Sequence, residues 1–327
     1  MARDIAIDRL RLWLTLAVVF GHALILFTDS RSVGHFDTHP VGQNIFEWLY
    51  SFHIPVFFMI SGATYHGGKA VLTFICNKFR RLMVPYFLTF YFAMGPVLYI
   101  IGAWQWKDVT GIWFDHNARH LWFLYTLFWL SVAMRLLDGV GLSYGAILAI
   151  SIGLYLAPLT PEMPWRFSQY FLFYVLGACC MRYGKFLARW WYIWFGAHVL
   201  LYGCMVHFSW QIPWLGGHWP SRLAVVGMSL SVWFILYALA KSFPLLKKGK
   251  LAQIAAYLYQ GQYGLYLYHA PWIYLLGYYG AFGMLPWYGT VIVLFVVACL
   301  LAYATEVLVR SVVQGVSQKM NFSFPAR

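Results

Sequence analysis

The sequence predicts an all-α polytopic membrane protein of about ten transmembrane helices with both termini in the cytoplasm. Three observations predict it. Of 327 residues, 62% are hydrophobic, 21% aromatic and only 10% charged. A soluble domain carries about 25% charged residues, so lipid must be the main solvent of this chain. Apolar runs long enough to cross a hydrocarbon core about 30 Å thick recur along the sequence, punctuated by charge and proline. The Lys and Arg residues gather on one side of those runs.

The runs are 8–28, 43–65, 82–103, 120–137, 141–157, 167–182, 189–208, 221–240, 254–279 and 285–309. Those at 141–157 and 167–182 are short, as tilted or partly re-entrant partners would be. With the N-terminus inside, 18 of the 23 Lys and Arg fall in cytoplasmic segments. The other five, Arg31, Lys107, Arg119, Arg166 and Arg222, fall outside. This positive-inside split fixes the orientation, and it accounts for a net charge of +13 without nucleic acid. Nine or eleven spans would destroy the asymmetry in half of the loops.

No cleavable signal is expected, because the first run is long enough to be retained as a span. The connections are short, so residues 1–327 read as a single membrane-embedded domain with no fused soluble domain. Any site must therefore be built from helices and their turns. None of the five cysteines, Cys76, Cys179, Cys180, Cys204 and Cys299, falls in an extracytoplasmic loop, and they show no metal-type spacing. No disulfide framework and no metal are predicted. No internal repeat suggests an inverted-repeat transporter.

The first run sets the chemistry. Arg11 and His22 are eleven residues apart, three helical turns plus about 20°, so they share a face roughly 16 Å apart along the axis. With Arg11 at the membrane surface, His22 lies near mid-membrane, where an ionisable side chain is expensive and marks function. In the second run His53 falls at similar depth. Pro55, two residues on, opens the helix locally, which lipid tolerates only beside protein or a wet cavity. Lys78, Arg80 and Arg81 crowd the entrance of the third run, where they suit lipid headgroups or the phosphates of a nucleotide-bearing donor.

The fourth run opens with Arg119-His120-Leu121-Trp122, most simply an interfacial belt. In the ninth, His269 again precedes a proline by two residues, and Tyr259, Tyr263 and Tyr266 share a face that packs or lines a hydroxyl-rich path. Trp210, Trp214 and Trp219 form an outer aromatic group, suited to the membrane belt or to stacking on sugar rings.

Taken in order, these runs resemble the acyltransferase 3 family of integral membrane O-acyltransferases. The similarity rests on Arg11 and His22 with ten residues between them, Phe52-His53-x-Pro55-x-Phe57-Phe58-x-x-Ser61-Gly62, Arg80-Arg81-Leu82-Met83-Val84-Pro85-Tyr86, Leu121-Trp122-Phe123-Leu124 and Tyr266-Leu267-Tyr268-His269.

The resemblance implies about ten helices, a cytoplasmic acyl-CoA donor, and transfer to an acceptor within or beyond the membrane, often a polysaccharide hydroxyl. It carries the essential Arg to Arg11 and the essential His to His22, and it matches Arg80 and Arg81 to a basic cytoplasmic motif. The expected reaction is O-acetylation from acetyl-CoA in a plasma (cell inner) membrane. Polysaccharide synthesis or export proteins are the expected company. Arg11, Lys78, Arg80 and Arg81 are expected to hold the donor phosphates. His22 is expected to act as general base or transient acyl carrier, His53 to orient it or bind the acceptor, and Ser61, Tyr266 and His269 to contact the acceptor. Two competing readings are a transporter or flippase using the histidines as a proton relay and an inactive partner in an export complex.

Overall fold

The computed structural model describes residues 4–28, 36–68, 70–106, 111–114, 119–157, 164–209, 219–243, 249–280 and 285–319. Every regular element among them is helical. Trp210, Trp214, Arg3, Arg31, Lys69, Lys107, Lys247, Lys248 and Arg327 lie outside the described residues.

Helix α1, Ile5–Leu24, is the axis of the bundle. Asp4 starts it by accepting the Ala6 amide at 3.0 Å, satisfying one of the donors a helix start leaves open. A 3₁₀ turn, Ile25–Phe27, ends it. The charged head therefore lies inside the helix, covered by its own partners. Arg9 is buried and donates to the carbonyls of Ala240 and Phe243. Asp8 stands 3.7 Å from Arg11.

Helix α1 meets apolar packing on two flanks. Leu10, Leu14 and Val18 enter one buried cluster, and Val19, Ala23 and Leu24 enter another. The second span is two helices, α2 (Pro40–Tyr50) and α3 (His53–Ala63), broken at Ser51-Phe52. Pro55 thus sits in the first turn of α3, where its missing N–H costs nothing. The break falls before His53 rather than after it.

The third span runs unbroken from Val71 to Ile100 as α4 (Val71–Lys78), a π-helical turn Phe79–Met83, α5 (Val84–Thr89), a second π turn Phe90–Met94, and α6 (Gly95–Ile100). The two wide turns precede Pro85 and Pro96, each of which removes a backbone donor. The helix starts eleven residues earlier than the hydropathy boundary, so the basic run Lys78–Arg81 lies within it.

Next come α7 (Trp122–Gly139), entered through a 3₁₀ turn Arg119–Leu121, then α8 (Tyr144–Leu156) and α9 (Pro164–Tyr183). A 93° bend separates Arg166–Tyr183 from Lys185–His207, which ends in α10 (Trp191–His207). The chain closes with α11 (Trp219–Ser242), α12 (Lys250–Tyr279) and α13 (Trp287–Lys319).

Each of the ten expected stretches is helical. Among the described residues six spans are long and apolar enough to cross a membrane, or seven if the bent pair is one. Helix α8, at 13 residues, is only about 20 Å long. Helix α12 has ample length, 30 residues, but its many tyrosines and glutamines lower its hydropathy. It compensates by burial: Leu265, Tyr266, Leu267, His269, Ala270 and Ile273 are all covered by other helices.

Helices α3 and α9 cross backbone to backbone. A Cβ on Gly62 would collide with the Tyr174 carbonyl, and one on Gly177 with the Met59 carbonyl. Gly177→Val should therefore cost about 1–3 kcal/mol through overpacking, read as a lower melting temperature in detergent. The same substitution at Gly153, where a Cβ meets nothing within 4 Å, is the control. Equal melting of the two variants would contradict this crossing.

Candidate active site

The site grows from α1. His22 is 17 residues past the start of α1, and five before the end of its span at Phe27. It therefore lies about 8 Å from the far end of its helix, displaced from the mid-membrane depth that the hydropathy boundary suggested. Its Nδ1–H donates to the Val18 carbonyl, one turn back, at 2.9 Å. That bond assigns the tautomer and leaves the lone pair on Nε2.

Two further histidine rings surround it. His269, fully buried on α12, lies 4.9 Å away between ring centroids. Its Nδ1–H donates to the Tyr266 carbonyl at 2.8 Å, so its Nε2 carries the lone pair, turned toward His22 Nδ1 at 3.4 Å. A basic nitrogen beside the His22 N–H stabilises that tautomer and the imidazolium formed when Nε2 takes a proton.

The third ring is His120, 6.3 Å from His22 and 5.1 Å from His269. Its neighbours Arg119 and Trp122 suit an interfacial belt, but His120 is buried. What brings it inward is Pro271. A proline inside a helix leaves the carbonyl four residues earlier without its donor, here that of Leu267. His120 fills the vacancy from another helix, donating Nε2–H to the Leu267 oxygen at 3.0 Å. Tyr266 completes the clasp, its hydroxyl donating to the His120 carbonyl at 2.6 Å. Tyr266, expected to contact the acceptor, thereby also braces His120.

His53 is buried, donates Nδ1–H to the Leu49 carbonyl at 2.6 Å and packs on the Tyr50 ring at 4.4 Å. It is within electrostatic reach of His22, whereas His269 and His120 stand ring to ring with His22. Ser61 bonds back to Phe57 at 3.1 Å. The Tyr50 ring sits 3.1 Å from the Cβ position of Gly21, and α1 and α3 run in opposite directions. That register places Ser61, eleven residues past Tyr50, near the depth of Leu10 and Arg11 rather than of His22.

The other end of the same α1 face is basic. Arg11 and Arg81 both act electrostatically on Lys78, so three cations from two helices share one region. Arg80 is exposed on the same stretch. Proline chemistry recurs here: Pro85 frees the Arg81 carbonyl, which accepts the Tyr263 hydroxyl at 2.8 Å and ties the basic stretch to α12. One turn away Arg310 donates to the Gln260 carbonyl and pairs with Glu306 at 2.8 Å. Glu306 is only 3% exposed. This carboxylate, beside a cavity of about 170 Å³, was not anticipated from sequence.

The arrangement is therefore a line along α1, with a cationic group at one end and a base-bearing histidine group some 16 Å away. A family model described as an acyltransferase domain, acyltransferase 3, matches residues 4–307. The chain belongs to the acyltransferase 3 family. No curated protein matches the chain, and no solved structure does. Membership makes this a membrane acyltransferase in general terms, and the histidine group is the candidate place for its chemistry.

Pro271→Ala separates positioning from folding. It returns an N–H to Leu267, competing with His120, and removes a helix breaker worth up to about 3 kcal/mol. The variant should melt at the wild-type temperature or above while its transfer rate falls at least about tenfold. Unchanged transfer would mean that the Leu267 carbonyl does not hold His120 in place.

Proposed function

We propose that this protein transfers an acyl group, most simply acetyl, from acyl-CoA on the cytoplasmic side to a hydroxyl of a glycan at or beyond the outer face of the plasma membrane. The observation that carries the reading is the shared face of Arg11 and His22, with cations gathered at one end and imidazoles at the other.

Arg11, Lys78 and Arg81 supply the charge that the donor phosphates need, with Arg80 beside them. From there the pantetheine arm follows α1 past the level of Ser61 and brings the thioester to His22. The positive-inside distribution of Lys and Arg supports a cytoplasmic donor end and cytoplasmic termini. His22 lies near the opposite end of its helix, so an acceptor entering from outside has only a short descent.

At His22 the acceptor hydroxyl donates to Nε2. As its oxygen attacks the thioester carbonyl carbon, the proton passes to Nε2 and a tetrahedral intermediate forms. Collapse expels the CoA thiolate, which takes the proton back from His22, leaving an ester and free CoA. His22 is suited to this because its Nδ1–H is already held by the Val18 carbonyl and faces the His269 lone pair. The imidazolium thus forms without a tautomer change.

The test separates binding from chemistry. His22→Ala should bind CoA with near wild-type affinity but transfer 10²–10⁴-fold more slowly, the usual worth of general-base catalysis, roughly. Arg11→Ala and Arg81→Gln should weaken CoA binding, and wild-type binding should fall with salt because exposed charges are screened beyond about 10 Å at 0.1 M. Equilibrium binding of labelled CoA and product detection by mass spectrometry measure the two. Near-normal turnover by His22→Ala would sink the mechanism. Substrate accumulation without consumption of acyl-CoA would instead identify a transporter.

A further inference from the structure

His120 does more in this geometry than fill space. Its Nε2–H is committed to the Leu267 carbonyl, because the other tautomer would set a lone pair against that oxygen. Its Nδ1 must then be an acceptor. That atom is buried and has no hydrogen-bond partner among the described residues. A buried acceptor without a partner, on a ring 5.1 Å from His269 and 6.3 Å from His22 between centroids, is the kind of polar group that folded proteins otherwise avoid.

The chain goes to some length to put it there. Arg119, the residue before it, has a φ of 52°, the left-handed region that side chains other than glycine rarely adopt. Such strain collects at functional sites when the surroundings hold it in place. Here the holding groups are the Tyr266 hydroxyl on the His120 carbonyl and the carbonyl exposed by Pro271.

The ring that carries this acceptor lies 6.3 Å from the His22 ring between centroids. Two hydrogen bonds of about 2.8 Å each, converging from these rings, reach two neighbouring hydroxyls of one molecule. We infer that His120 is a specificity-determining residue: its Nδ1 receives a second hydroxyl of the acceptor, adjacent to the one that reacts at His22, so the site selects a vicinal diol over an isolated alcohol. The inference rests on the proposed transfer to a glycan and adds which feature of the glycan is read. It assigns His120 no part in proton removal; its effect is on which hydroxyl-bearing substrate sits correctly.

The experiment uses full-length protein in detergent with acetyl-CoA and a panel of methyl pyranosides, each compared with its monodeoxy series. A site built to bond a hydroxyl rejects the analogue lacking it by on the order of 10⁴-fold in kcat/KM. Wild type should show that loss for the deoxy sugar missing the hydroxyl next to the acylated one, and little loss for a remote deletion.

His120→Gln keeps a donor for Leu267 and removes the Nδ1 acceptor, so its discrimination should collapse to within about tenfold. His120→Asn, whose carbonyl can occupy the Nδ1 position, should retain most of the preference. Discrimination unchanged in His120→Gln would overturn the inference. So would an effect confined to the KM for acetyl-CoA, which would mean that Nδ1 serves a donor of the pantetheine arm. Wild-type protein that acetylates no pyranoside contradicts the proposed function itself, and the inference falls with it.

Discussion

Everything in this site depends on one constraint: inside lipid, each polar group must find its partner within the protein. Three of the helix histidines meet it in one way. His22, His53 and His269 each direct Nδ1 to the carbonyl four residues earlier, those of Val18, Leu49 and Leu265, with Tyr266 sharing the third. Each ring is thereby fixed in one tautomer with its lone pair on Nε2. By the same bonds that satisfy its histidines the chain has set out a row of imidazoles whose lone pairs sit on Nε2.

Proline supplies the converse. Where Pro271 and Pro85 remove a donor, the carbonyls of Leu267 and Arg81 must be satisfied from elsewhere, and both take it from another helix, through His120 and Tyr263. Both bonds end on or start from α12, one at each end of the α1 face. Helix α12 is therefore the fixed rail against which the histidine group and the cationic group are positioned. Its many tyrosines and glutamines, which lower its hydropathy, are what make that possible.

Much of this was legible in the sequence because it is local. The Arg11–His22 face follows from helical periodicity alone, and the basic run at 78–81 and the histidine at 269 are visible as ionisable residues in apolar surroundings. Helix ends were less legible. Hydropathy stopped at charged residues that both helices in fact include, so α1 and the 71–100 helix begin earlier than expected and His22 lies nearer the far end of its helix. His120 was missed because its role is tertiary. Pro271 announces that the Leu267 carbonyl lacks a donor, but nothing local says which side chain arrives. Ser61 was placed by motif alone, whereas the Gly21–Tyr50 contact fixes its depth. Glu306 stands in the tenth run as an ionisable residue, but its cover comes from packing against α12, around Gly264, which nothing local announces.

The central claim is a direction: an acyl group enters at Arg11 and leaves at His22, from one side of the membrane to the other. Vesicles containing the oriented protein test it most directly, with labelled acetyl-CoA confined to one compartment and a glycan acceptor to the other. The account predicts acetylated glycan only when the donor is on the Arg11 side and the acceptor opposite. Transfer that requires donor and acceptor in the same compartment would contradict it.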